Sequence, residues 1–387
     1  MSIDTSVKFI HSAMPGAPSL TPDIGAMIAL LDACLVNGYA AGNVDSIVIS
    51  GGIATVTRGA GHPFEVGSVA LISGAAVSGG VINGERKVTA VTTTTYKFNA
   101  PGIADQTATG VTMHKVAPLG WAKPFAATNL AAYTPADPAS TGHYLRVDDS
   151  RATWAYVRAY RSMAGIDGGV DGTGDLYWRK GSPGACSWVL IGDGRIFYLA
   201  VSHSHTGVDY PRGFGLAHAF GDIAAVKSPD AYACILNGYG TTNPFDSSGR
   251  NSDYDLDFSN ATTAAAGLLL SRAHTGLGPW VNARRTFSAV CCGSTSLRSG
   301  NLGNYGMPYP NPANGGVYLS PVFISDHATS VFRGTLPGLF ALPQNVGATT
   351  FGARERVAAV EGYPSRVFAA VNSGDGCFFL DTTGPWR

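Results

Sequence analysis

The chain has 387 residues and a formal net charge of zero, with 26 basic and 26 acidic side chains. That length allows more than one domain and a substantial core. The lack of basic runs argues against a nucleic-acid binder or a protein held on an anionic membrane, and no stretch reaches the roughly 18 uninterrupted apolar residues of a membrane span.

The opening MSIDTSVKFIHSAMPGAP lacks the basic start and apolar run expected of a secretory signal. TPDIGAMIALLDACLVNG then predicts an amphipathic helix over 21–36. Thr21 is its expected N-cap and Pro22 sits in its first turn; Ile24, Met27, Ile28, Leu31 and Leu35 follow helical spacing, and Asn37-Gly38 is the stop. After Gly38 the hydrophobic period changes from 3.6 to 2. DSIVISGGIATVTRG reads as two strands joined at Gly51-Gly52, and FEVGSVALISG continues the alternation. NGERKVTAVTTTTYKFNAPG is expected to turn at Asn83-Gly84 and then run extended, with its threonines forming a neutral strand surface. TATGVTMHKV closes this set.

Further strands are expected in HYLRVDDSRATWAYVRAYRSM, around Asp148-Asp149, and in DLYWRK. SWVLIGDGRIFYLAVSHSH reads as a hairpin turning at Gly192-Asp193-Gly194, and DAYACILNGYG as one more strand. ATTAAAGLLLSRAH suggests a short helix over 261–274, and residues 301–316 form a long Pro/Gly/Asn loop of the kind that makes contacts. The expected fold class is therefore mainly β. An N-terminal arm and helix occupy 1–43, a small antiparallel β module 44–116, and a larger β-sandwich-like domain 117–387.

Glutamate occurs only at Glu65, Glu85, Glu355 and Glu361, against 22 aspartates, and there are seven lysines against 19 arginines. Lysine and glutamate dominate solvated helices, whereas arginine and tyrosine are enriched at interfaces where lysine and glutamate are depleted. This composition points to a protein that sits against neighbours, the alternative being a neutral β-rich monomer; a symmetric homo-oligomer is expected, with a trimer as the first guess. The segment before Thr21 and the loop 301–316 are the arms expected to lie on them.

The segments VKFIHSAMPGAP, VGSVALISGA, INGERKVTAVTTTTYKF, GWAKPF, YLRVDD, GDGRIFYLAV, FGDI and DTTGPWR together resemble a family of virion tail proteins of long-tailed phages and prophages of Gram-negative bacteria. The resemblance spans nearly the whole chain. Its β-module motif is shared by many tail and fibre proteins. The family is known mainly as structural, so the resemblance implies a setting and assigns no residue a role. It implies a virion protein made in the host cytoplasm, with other tail or baseplate proteins as partners. A receptor-binding tail protein that touches a host-surface glycan or pilus is the alternative, and a glycan-cleaving enzyme the third.

The chemistry-bearing residues are sparse. The six cysteines, Cys34, Cys186, Cys234, Cys291, Cys292 and Cys377, show no CxxC or zinc spacing and are expected to be reduced and mostly buried. His203 and His205 share one face of an extended segment, and three copies of the pair around a symmetry axis would ring a metal; the competing expectation is two surface or turn histidines. Asp253, Asp255 and Asp257 fail the Ca²⁺-loop pattern, and Asp167, Asp171 and Asp175 read as a solvated glycine-rich turn before a Ca²⁺ loop. Trp154, Trp178, Trp188, Tyr239 and Trp280 are expected in the core before a sugar groove. With no P-loop, no G-x-S-x-G and no complete G-x-G-x-x-G, the expectation is no catalytic residue and no cofactor.

Overall fold

The computed structural model describes residues 3–180, 184–202, 216–239, 266–287, 307–345, 350–352, 354–373 and 376–387. Among these residues the chain is mainly β, with one short helix.

The helix is shorter than its apolar stripe suggests. Its α-helical part is Ala26–Leu31, and it continues as a π-helical turn over Asp32–Asn37. Gly25 lies at φ 86°, which breaks the helical path and leaves Ile24 outside it, exposed. Thr21 does not cap. Instead the Asp149 carboxylate, over a hundred residues away in sequence, accepts the N–H groups of Met27 at 2.8 Å and Ile28 at 3.1 Å. At the other end Gly38 is the stop, at φ 70°, and a Cβ there would strike the Val116 carbonyl.

Eight strands between Tyr39 and Val116 form one sheet. Its order is Tyr39–Asn43, Met113–Val116, Val69–Ser73, Gly84–Val91, Thr95–Asn99, Ile53–Thr57, Ser46–Ser50 and Gln106–Thr107. Strand Gly84–Val91 pairs with Val69–Ile72 through its first half and with Tyr96–Phe98 through its second, with an irregularity between Val88 and Ala90. Such a corner lets one strand serve two faces of a folded-over sheet. The far edge is tied back by the single Ala76–Thr109 bridge, while Tyr39–Asn43 pairs with one strand, Met113–Val116.

Within this module the turn chemistry differs from expectation. Asn83-Gly84 is not a tight hairpin; the Asn83 amide grips both the N–H and the carbonyl of Ala75, closing the loop 75–83. The threonine run supplies the turn instead. Thr92 Oγ1 accepts from the Thr95 N–H at 3.0 Å and meets the Thr95 hydroxyl at 2.8 Å. The hydroxyls replace the glycine a tight turn usually needs.

The larger unit contains the expected strands Tyr144–Asp148, Trp154–Tyr160, Leu176–Arg179, Trp188–Gly192, Ile196–Val201 and Cys234–Tyr239. Strands Trp188–Gly192 and Ile196–Val201 are buried along their whole length. One face, with Trp188, Leu190, Phe197 and Leu199, joins the core that holds the helix and the module; the other, with Val189, Ile191 and Tyr198, packs on the C-terminal strands. A sheet covered on both faces reads in sequence as a continuous apolar run, as WVLIG and IFYLAV do.

Three expectations change. Ala266–Leu270 is a strand, paired with Ile235–Tyr239, in place of a helix. The N-terminal segment is no free arm: Lys8–His11 pairs with Val189–Gly192. Its side chains also reach the module, through Lys8–Glu85 and His11–Glu65, each at 3.0 Å. The described part of the loop 301–316 is likewise held by its own chain, because the buried Gln344 amide donates to the carbonyls of Pro308 and Gly316 and accepts from the Tyr318 N–H.

The C-terminal Trp386 lies on Gly338, where φ is 72° and a Cβ would overlap the indole. Gly338→Ala is therefore expected to lower stability by about 2–4 kcal/mol, read as a lower urea midpoint, because it combines a left-handed backbone penalty with a displaced tryptophan. A change under about 0.5 kcal/mol would show that Trp386 contributes nothing there.

Candidate functional site

Three strands of the module build an outward face. Along Ser46–Ser50, Ile53–Thr57 and Thr95–Asn99 the inward positions Ile47, Ile49, Ala54, Val56, Tyr96 and Phe98 are buried. Strand alternation sends their neighbours the other way. Val48 stands beside Thr55 and Thr107, Thr55 beside Lys97, and Ile53 between Ser50 and Asn99. On these three strands Lys97 is the one charged residue among the outward positions. Val48 and Ile53 are 44% and 43% exposed.

This face is stiffened from below. His62 Nε2 lies 2.8 Å from the Thr92 carbonyl and 3.0 Å from that of Thr95, so this nitrogen carries the proton and donates. Its Nδ1 accepts from the Phe64 N–H at 3.2 Å. Beneath, Phe64, Tyr96 and His114 pack ring to ring, and the Tyr96 hydroxyl meets His114 Nδ1 at 3.0 Å. Burial pushes the His114 imidazole down to about 4, helped by the positive field of Arg58 and His62, so it is neutral at pH 7. The face can offer hydroxyls, an amide and small apolar groups to a flat partner.

The histidines singled out in the sequence, His203 and His205, lie outside the described residues, as do Asp253, Asp255, Asp257, Cys291 and Cys292. Cys34, Cys186 and Cys234 are buried thiols. Asp175 and Asp171 are engaged by arginines: Arg158 grips Asp175 with two bonds of 2.6 and 2.9 Å, and Arg161 meets Asp171 at 2.8 Å. Among the described residues no group of three histidine, cysteine or acidic side chains has metal-holding geometry. Trp178 and Trp188 are fully buried core residues, while Trp280 is half-buried and donates to the Asp171 carbonyl at 2.7 Å.

Two polar clusters escaped sequence reasoning. Asp149 and Lys180 form a fully buried pair at 2.5 Å. Asp222 accepts from both the N–H and the hydroxyl of Thr141, and that hydroxyl also touches His143 Nδ1 at 2.8 Å. Asp148-Asp149 carried only a turn signal, because the partners of Asp149 are remote in sequence. Compared with known proteins, the chain matches no family model and no curated protein.

Proposed function

We propose that the chain is a structural component of a phage tail, of the tail tip or baseplate, set among other tail proteins in a symmetric assembly. The observation that carries this is the outward face of Ser46–Ser50, Ile53–Thr57 and Thr95–Asn99, where Lys97 is the one charged residue of the strands and exposed Val48 and Ile53 are set among hydroxyls. A protein that works alone in solution gains solubility from charge, whereas a subunit covered by a neighbour gains from neutrality. The resemblance of nearly the whole chain to tail proteins supports the same setting. Docking here uses side chains of the face, because its three strands are each paired on both sides.

Val48→Arg and Ile53→Lys test this without touching the core. Both residues point outward, so the folded chain should keep its circular dichroism and its unfolding midpoint. Each places an unpartnered charge in the interface, at a cost of about 2–5 kcal/mol. Particles from a complementation assay should then lack the chain or fail to form tails. Normal particle numbers and normal incorporation with both variants would overturn the proposal. Normal particles that fail to adsorb to the host would replace it by the receptor-binding alternative.

A further inference from the structure

Around Ala224–Ala225, Ala266–Leu270, Val281–Phe287, Ser320–Asp326 and Phe332–Ala341, three connecting loops converge, 226–233, 271–280 and 327–331. Between them lies an open cleft of about 510 Å³, lined among others by Lys227, Asp230, Tyr232, His274, Phe332 and Arg333. That is the size of a small-molecule site.

The cleft is built from parts held in place. Arg333 pairs with Asp230 at 2.8 Å and donates to the Arg272 carbonyl. The Arg272 guanidinium lies 3.9 Å from the centre of the Tyr232 ring, fixing that wall. Phe332 meets Phe323 edge-on at 5.5 Å, yet stays 44% exposed. Lys227 has no partner among the described residues.

These features select a ligand. An exposed aromatic ring beside a fixed carboxylate–guanidinium pair suits a molecule with an apolar C–H face and hydroxyls that both donate and accept. A pyranose has both. The cation count then narrows the choice. Of the lysine and arginine side chains that line the cleft, Arg333 is matched by Asp230, which leaves Lys227 without a carboxylate among the described residues. One cation matches one carboxylate, whereas a phosphate dianion calls for several convergent donors. We infer that this cleft binds an acidic saccharide, a sugar bearing a carboxylate, with its ring on Phe332 and its carboxylate at Lys227.

The inference rests on the cleft alone and stands apart from the docking role of the module. The full-length protein is titrated with trigalacturonate, maltotriose and hexaglutamate, and screened on an array of uronate-bearing, sialylated and neutral oligosaccharides. Acidic sugars should bind better than neutral ones of equal length. Phe332→Ala should weaken binding by about tenfold or more, while Phe332→Trp keeps it. Lys227→Gln, at an exposed position, should abolish the preference for acidic sugars and leave the fold intact. The inference is overturned if the array shows no acidic sugar bound, if Phe332→Ala and Lys227→Gln both bind like the parent, or if hexaglutamate competes as well as the sugars.

Discussion

Replacing Lys180 by methionine is expected to cost about 3–5 kcal/mol, a large share of the 5–15 kcal/mol typical of a folded protein. The Lys180 ammonium donates to three acceptors: Asp149 Oδ1 at 2.5 Å, the Asp23 carbonyl at 2.6 Å and the Arg151 carbonyl at 2.5 Å. Asp149 spends its other oxygen on the helix N–H groups. Removing the ammonium leaves a carboxylate in the core with nothing to neutralise it. Burial already raises the Asp149 carboxyl above the ordinary range, and Lys180 is the main influence holding it down. Without Lys180 it rises further, so the penalty should shrink as pH falls and the buried carboxyl takes a proton. The double variant Lys180→Met/Asp149→Asn should recover much of the loss, since asparagine still accepts from the helix. Urea unfolding at pH 7 measures all three, and a Lys180→Met variant within about 1 kcal/mol of the parent would refute the account.

Acid should destabilise the protein between pH 6.5 and pH 4. Burial pushes His218 down to about 3 and His114 and His143 to about 4, from an ordinary 6.5. Arg58 and His62 add to the effect on His114, and Arg161 to that on His143, where Asp171 opposes it. In each ring one buried nitrogen has no hydrogen-bond partner: Nδ1 of His218 and Nε2 of His114 and His143. These folded values are depressed, so below pH 6.5 the unfolded chain takes up protons that the folded chain refuses. Stability is full above 6.5 and falls until pH reaches the folded values.

By pH 5 each histidine has cost about 2 kcal/mol, and the three together about 6 kcal/mol. Asp149 and Asp222 work the other way, because burial raises both carboxyls and the fold holds their protons more tightly. Their unfolded counterparts titrate near 3.9, so they moderate the loss mainly at its acid end. Unfolding free energies at pH 7 and pH 5 should therefore differ by several kcal/mol, and His218→Gln should flatten the dependence by about a third. Equal stability at the two pH values would mean that these rings are not held neutral in the core.

The β class, most strand positions and several turns were written locally. Period-two alternation marked Tyr144–Asp148 and Trp154–Tyr160, and the glycines of Gly51-Gly52 and Gly192-Asp193-Gly194 sit between strands that do pair as hairpins. Gly38 stopped the helix because a side chain there has no room. The outward face of the module was legible as a neutral, threonine-rich surface, since alternation alone assigns its sides.

Other features depended on partners far along the chain. The run around Ala266–Leu270 carries helix-forming residues, but Leu268 and Leu270 are buried in a sheet between Ile235–Tyr239 and Val281–Asn282. Burial and ladder bonding outweighed a few tenths of a kcal/mol of propensity per residue. The helix began at Ala26 because Gly25 turns the chain and Asp149 supplies the cap. Lys8–His11 became a strand because Val189–Gly192 offered an open edge. The sequence by itself determined the hydrophobic period and most of the points where strands turn, which short-range sterics set. Only the tertiary structure decided which edges pair, which charges meet in the core and where the helix starts, because those free energies belong to contacts between residues distant in sequence.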